Sequence, residues 1–206
     1  MFRGLHILMV LGALVLGAPV PSALAAAGRP DAGTVTRAQG EVRAAHGGQG
    51  RLLAAGDTVY LEDTLLTGPE ARVAVRLRDG SDVTLGGGGA LTLDGLIVAP
   101  DGGPGDGFSV LAGAFRLIAA PTPGAEVRTP VATIGIRGTD FWGGPLDGAL
   151  DVLTLEGRVA VTTAGGDVVL GAGQGTVVAG PGGAPGPATA WADDKVRRAL
   201  DSVAFR

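Results

Sequence analysis

Val73-Ala74-Val75-Arg76-Leu77-Arg78-Asp79-Gly80-Ser81-Asp82-Val83-Thr84-Leu85 alternates apolar and polar side chains, and the alternation resumes beyond an Asp-Gly pair. Successive side chains of an extended strand point to opposite faces. Val73, Val75 and Leu77 therefore share one face, while Ala74, Arg76 and Arg78 share the other. Asp79-Gly80 suits a tight hairpin turn, because Gly takes positive φ at no steric cost. Val83 and Leu85 continue the apolar face on the return strand. The stretch reads as two antiparallel strands that bury one face.

The same pattern recurs outward from this hairpin. Leu91 and Leu93 alternate, as do Val152, Leu153 and Leu155, then Val159 and Val161. Val168 to Leu170 and Thr176 to Val178 close the series. Short strands at a spacing of roughly 8–12 residues predict an all-β protein. The expectation is a short-stranded, Gly-rich β-sandwich or roll, or a solenoid-like domain. Gly supplies 38 of 206 residues, well above the ordinary share of about 7%, as frequent turning requires. Gly56-Asp57 and Thr67-Gly68 read as further turns in which Asp or Thr oxygen caps a nearby amide. Gln39 to Ala44, Ala112 to Leu117 and Glu156 to Val161 echo one another through a turn Gly. Asp82 to Gly88 is echoed by Asp167 to Gly173. The spacings are unequal, and shared turn chemistry accounts for the echoes without a fixed repeat.

The ends differ from the middle. Arg3, the apolar run Leu5 to Leu16, the breakers Pro19 and Pro21, and Ala23-Leu24-Ala25 together read as a cleaved signal peptide over residues 1–25. The apolar run is shorter than the roughly 20 residues a spanning helix needs, so no stable membrane span is expected. At the other end, residues 180–188 form a Gly/Pro linker. Residues 189–206 are expected to hold one amphipathic helix, with Thr189 as N-cap and Asp193-Asp194 in its first turn. Ala192, Val196, Ala199, Leu200 and Val203 form its apolar stripe. That stripe either docks on the β domain or meets a partner.

The formal net charge is −4, and the chain contains no Cys. An acidic chain without a basic cluster is a poor fit to nucleic acid. The lack of Cys removes disulfides, thiolate metal sites and thiol nucleophiles together. His46 is the only His beyond the leader and sits in a Gly-rich loop. Ser81, Ser109 and Ser202 lack a nucleophile-elbow context, and no phosphate loop or dinucleotide fingerprint is present. Gly102-Gly103-Pro104-Gly105-Asp106 is similar to one unit of a calcium-binding β-roll repeat. It is one residue short and occurs once, so it reads as a plain loop. No metal, no cofactor and no enzyme activity is expected.

Val127-Arg128-Thr129-Pro130-Val131-Ala132-Thr133-Ile134-Gly135-Ile136-Arg137-Gly138-Thr139-Asp140-Phe141 resembles the central signature of the FecR-domain family. In that signature a Thr-Pro pair leads to Gly-x-Arg-Gly-Thr-x-Phe. Leu53 to Val59, Asp63 to Gly68, Val75 to Ser81, Leu155 to Val159 and Leu170 to Gln174 extend the resemblance from about Gly33 to Ala179, within an all-β domain expected to span residues 26–179. The resemblance implies a periplasmic sensing and binding module rather than an enzyme. Regulators of this family pair that domain with a cytoplasmic segment controlling a sigma factor; the residues before the domain read as a leader instead, so anti-sigma activity is not expected to carry over. The expected function is therefore an exported protein- or ligand-binding module in envelope signalling. The alternative is a structural, self-assembling protein of the cell envelope. Expected partners are another envelope protein or a cell-wall component, with homo-oligomers open.

Candidate binding residues are Arg137, Thr139, Phe141 and Trp142. Arg137, between Gly135 and Gly138, could bridge turn carbonyls or pair with Asp140 or Asp57. Phe141 and Trp142 read either as core anchors or as a recognition surface. Gly56, Asp57, Asp79, Gly80, Thr129, Pro130, Gly135 and Gly138 read as structural turn and strand-edge positions.

Overall fold

The hairpin at residues 72–85 forms as its alternation dictates. Val73 faces Leu85 and Val75 faces Val83 in antiparallel register, and all four are buried. Gly80 has φ +87°, and the Asp79 carboxylate accepts from the Ser81 amide at 2.8 Å. On the opposite face the Arg76 guanidinium pairs with Asp82.

The computed structural model describes residues 28–95, 107–120, 123–147 and 149–206, without the side chains of residues 123, 124 and 137. The expected signal peptide and the loop at residues 102–106 lie outside the described residues. The strands are β1 (Asp31–Gln39), β2 (Val42–His46), β3 (Gln49–Leu52), β4 (Thr58–Tyr60) and β5 (Thr64–Thr67). The hairpin follows as β6 (Arg72–Leu77) and β7 (Asp82–Leu85), then β8 (Ala90–Thr92), β9 (Phe108–Ala112), β10 (Phe115–Ile118) and β11 (Pro123–Arg128). Two long strands come next, β12 (Thr133–Gly144) and β13 (Leu150–Thr163). The chain ends with β14 (Gly166–Gly171), β15 (Gln174–Val178), β16 (Thr189–Ala190) and α1 (Asp193–Asp201).

All these strands join one sheet, which divides into two wings along β12 and β13. In the first wing the order is β3-β2-β5-β8-β9-β11, then the first half of β12, the second half of β13, and β14. In the second it is β4-β1-β6-β7-β10, then the second half of β12, the first half of β13, β15 and β16. Where the strands pass between wings, their register slips between Arg137 and Asp140. Gly138 and Gly157 sit at this break with φ +56° and +79°. Such an irregularity bends a strand and raises its twist, which lets one pair of strands serve two packed faces.

A single apolar core lies between the wings. Leu65, Leu91, Val127 and Ile134 of the first wing pack with Val35, Val83, Leu117 and Phe141 of the second. Phe115 links them, edge-to-face with Phe108 at 6.2 Å and with Phe141 at 5.6 Å. Each such buried side chain contributes about 1.5–3 kcal/mol relative to exposure. The protein is therefore all-β, folded over as a sandwich or roll. The solenoid form is not adopted, because the strand pairs are antiparallel except β9 with β11. The sequence echoes are turns: Gly40, Gly113 and Gly157 have φ +71°, +83° and +79°.

Two local expectations are corrected. Gly68 does not have positive φ. Thr67 is buried, and its hydroxyl donates to Gly86 O and accepts from the Gly89 amide at 2.8 Å, tying separate loops together. Thr189 does not cap the helix. It pairs with Gly175 in β16, and α1 starts after Ala192 with no side-chain cap. The preceding segment stays against the sheet, since the Thr176 hydroxyl donates to Gly186 O at 2.7 Å and the Gly186 amide to Val177 O at 3.0 Å.

The apolar stripe of α1 docks on its own domain. Ala199 and Val203 pack with Trp142, Leu153 and Ala114 in a second, smaller core on the outer face of the second wing. The tail continues to β1, where Arg37 lies over the Phe205 ring at 4.4 Å.

Candidate functional site

Three of the four sequence-predicted binding residues, Thr139, Phe141 and Trp142, are buried rather than on the surface. Phe141 and Trp142 are both fully buried, Phe141 in the main core and Trp142 beneath α1. A recognition role for either is therefore replaced by the core-anchor role. Thr139 is also buried; its carbonyl accepts from the Ala119 amide at 2.8 Å, joining β12 to the end of β10. The backbone of Arg137 stands opposite Arg158 in β13 and Pro123 in β11. Its side chain lies outside what is described. Both carboxylates considered for it are engaged. Asp140 accepts from Arg116 Nε at 2.9 Å and Nη2 at 2.6 Å, and Asp57 accepts from the Ala54 amide at 2.7 Å. The Arg116 hydrogen bond to Asp140 raises its guanidinium pKa, against the opposing effect of burial.

The signature does reach the surface at its Thr-Pro end. Thr129 closes the turn between β11 and β12: its hydroxyl accepts from the Ala132 amide at 3.0 Å and donates to Ala132 O at 2.9 Å. The turn leaves Pro130 exposed, while half-buried Val131 also packs against the main core. Beside it lie the β9–β10 turn, with Leu111 53% exposed, and Pro145 just after β12. Together they form a shallow apolar groove of about 260 Å³, lined chiefly by Val110, Leu111, Thr129, Pro130, Val131 and Pro145. Among the described residues no ionisable side chain lines it. Such a groove can hold an apolar side chain or a turn of another chain, and it carries no group for acid–base work.

Thr129 and Pro130 are thus both structural and groove-forming. Sequence reasoning missed Leu111 and Pro145. Leu111 carried a signal, because it places a large aliphatic on the outward phase of Phe108-Ser109-Val110-Leu111-Ala112.

The charged clusters are structural. Asp63, only 1% exposed, accepts from Arg29 Nη2 and Arg51 Nη2, both at 2.7 Å, and from the Tyr60 amide at 3.0 Å. Both guanidinium groups lie 5.4 Å from the Tyr60 ring. Buried Asp151 accepts from Lys195 Nζ at 3.0 Å and the Asp147 amide at 2.9 Å, while Asp147 pairs with Lys195 and Arg198, each at 2.8 Å. Burial would lower the Lys195 pKa, but its hydrogen bonds to Asp147 and Asp151 outweigh that and raise it. Hydrogen bonds from Lys195 and Arg198 hold the Asp147 carboxyl below its usual range. These pairs pin α1 to the β12–β13 loop. A second groove, of about 450 Å³ between α1 and β15–β16, is lined by these neutralised cations and Trp191. Among the described residues no group of three His, Asp or Glu could hold a metal ion. No helix among them is long and apolar enough to cross a membrane.

Residues 63–160 match the family described as FecR protein, so the likeness carried by the signature holds across just under half of the chain. No curated protein sequence matches the chain. Two crystal structures of a candidate anti-sigma factor from Parabacteroides distasonis ATCC 8503 share the fold. The 1.65 Å structure superposes with TM-score 0.53 at 16% identity, covering 66% of this chain and 64% of that one. The 2.50 Å structure gives TM-score 0.52 at 16% identity, over 66% of this chain and 63% of that one. The chain thus spans under two thirds of either structure.

Proposed function

We propose that this FecR-like chain is an exported binding module of the bacterial envelope that works in signalling by holding a protein partner. It performs no chemistry of its own. The observation that carries this reading is the groove at the Thr-Pro end of the signature. Pro130, Val131, Leu111 and Pro145 present apolar surface there, rigidly backed by the Thr129 turn and free of ionisable groups. The leader read from residues 1–25 supports a periplasmic setting. The anti-sigma description of the two structurally similar proteins agrees with a regulatory role.

The occupant is an apolar segment of another envelope protein, seated against Leu111 and Pro130. A photo-crosslinking residue at position 111, introduced in the native periplasm, tests this. The expected result is capture of one discrete protein, with capture lost in Pro130→Asp. Equal yields from position 111 and from exposed Thr36 on β1, far along the second wing, would overturn the reading.

A further inference from the structure

We propose that Arg72, with Arg37 and Arg206 beside it, binds a phosphate group on the outer face of the second wing. The site goes beyond the partner-holding groove and shares no residue with it.

Arg72 is 8% exposed, the one buried cation among the described residues. A buried charge is costly unless it is paired. The half-buried arginines elsewhere obey this: Arg29 and Arg51 share Asp63, and Arg116 holds Asp140. Among the described residues Arg72 has no such carboxylate. Its Nη1 donates to Ala71 O at 2.8 Å, while its Nε is buried with no hydrogen-bond partner. Nη2 is neither bonded nor sealed in, so that end of the fork opens outward. The negative end of α1 lies close by, since a Cβ on Gly86 would stand 2.6 Å from Ser202 O. A helix end offers only about half a charge, so Arg72 keeps a surplus that an incoming anion neutralises.

The surroundings add positive charge. Val73 and Val75 point to the core, so alternation along β6 puts Arg72 on the outer face. Gln39 stands opposite Arg72 across β1 and β6, and Arg37, two residues before it, shares that face. Gln39 Oε1 accepts from the Arg206 amide at 3.0 Å. Folding thus gathers three arginines, distant in sequence, at one corner of an acidic chain. Arg37 is exposed and lies over the Phe205 ring, with no ion pair among the described residues. The carboxylates of the flanking turns do not answer Arg72. Glu41 is engaged by Arg43 at 2.8 Å, and Glu70 is 90% exposed, 4.0 Å from Arg206 Nη1. Gly87 gives the guanidinium its seat: a Cβ there would stand 2.8 Å from Arg72 Nη1 and 1.9 Å from Pro69 O. A guanidinium fork matches phosphate bidentately, and the several oxygens of a phosphate can serve more than one arginine. A free phosphate and a phospholipid headgroup both present this chemistry.

Two titrations of the chain at constant ionic strength test this, one with inorganic phosphate by calorimetry, one with phosphatidylglycerol vesicles by co-sedimentation, against phosphatidylcholine vesicles. Saturable binding is expected in at least one. Binding of inorganic phosphate assigns a free ligand, and binding of phosphatidylglycerol vesicles alone assigns a headgroup. In the arm that binds, Arg72→Gln should weaken binding at least ~10-fold, as loss of a hydrogen bond between charged groups does. Arg206→Gln, at an exposed position, should also weaken it while keeping the unfolding midpoint of wild type. Binding in neither arm would overturn the proposal. So would a folded Arg72→Gln that binds as wild type does; if that variant does not fold, unchanged binding by Arg206→Gln overturns it instead.

Discussion

Trp142 and Ser202 lie 60 positions apart and share one hydrogen bond, from indole Nε1 to the serine Oγ at 3.0 Å. The ring is fully buried, so this bond satisfies a donor that water cannot reach. The same serine hydroxyl donates to Ala199 O, which ties the end of α1 to the outer face of the second wing.

Ser202→Ala removes the acceptor and leaves the Trp142 N–H buried and unpaired. A loss of about 1–3 kcal/mol is expected, measured by urea unfolding. The tryptophan emission maximum should shift little, because the ring stays covered.

Asp63 answers two arginines at once. Asp63→Ala leaves Arg29 and Arg51, both beside Tyr60, without their shared counter-charge. A loss of about 3–5 kcal/mol is expected, as for breaking a buried pair. Thermal unfolding checks it; a shift within experimental scatter would show that the arginines find water instead.

The clamp on α1 has a pH window with two edges. The folded pKa of Asp147 is depressed below 3.8, so its contribution is present above that value and lost as pH falls through the folded pKa. The folded pKa of Lys195 is raised above 10.5, so its contribution is present below that value and lost as pH rises through the folded pKa. Fluorescence of Trp191, 4.1 Å from the Lys195 ammonium, should therefore be flat from mildly acidic to mildly alkaline pH and change beyond both edges. Asp147→Asn should remove most of the acid edge and leave the alkaline one.

Gly157→Ala acts on the crossing between wings. Its Cβ would stand 2.5 Å from Gly138 O at φ +79°, so both strain and collision oppose it. A loss of more than about 1 kcal/mol is expected, again by urea unfolding.

Leu111→Asp should separate stability from binding. Leu111 is over half exposed, so unfolding should change by less than about 0.5 kcal/mol, while photo-crosslink capture through the neighbouring Val131 position disappears.

The local elements were legible because their signals are local. The β6–β7 hairpin follows from alternation around Asp79-Gly80, and the α1 stripe from Ala199 and Val203 at helical spacing. Trp142 was ambiguous for a definite reason. In β12 it sits on the outward phase, which reads as exposed, and only a helix 50 residues later covers it. Thr189 has the chemistry of an N-cap, yet its backbone serves β15 more favourably, a tertiary pairing that propensity does not register. The two wings were not legible, since no local pattern says that β12 and β13 change partners halfway along. The groove was half legible: Thr129 and Pro130 stood out, whereas Leu111 and Pro145 reach it from separate turns.

The chain crosses from one wing to the other at about half of its connections, and β13 to β15 complete both wings last. Pairs such as β1 with β6, β7 with β10 and β13 with β15 join strands that are not consecutive in sequence, so contact order is high and folding is slow. A nascent chain has no finished half to protect until its final third has emerged. The segment 63–160 expressed alone would lack β1, β2, β14 and β15, leaving unsealed edges of the kind that drive aggregation.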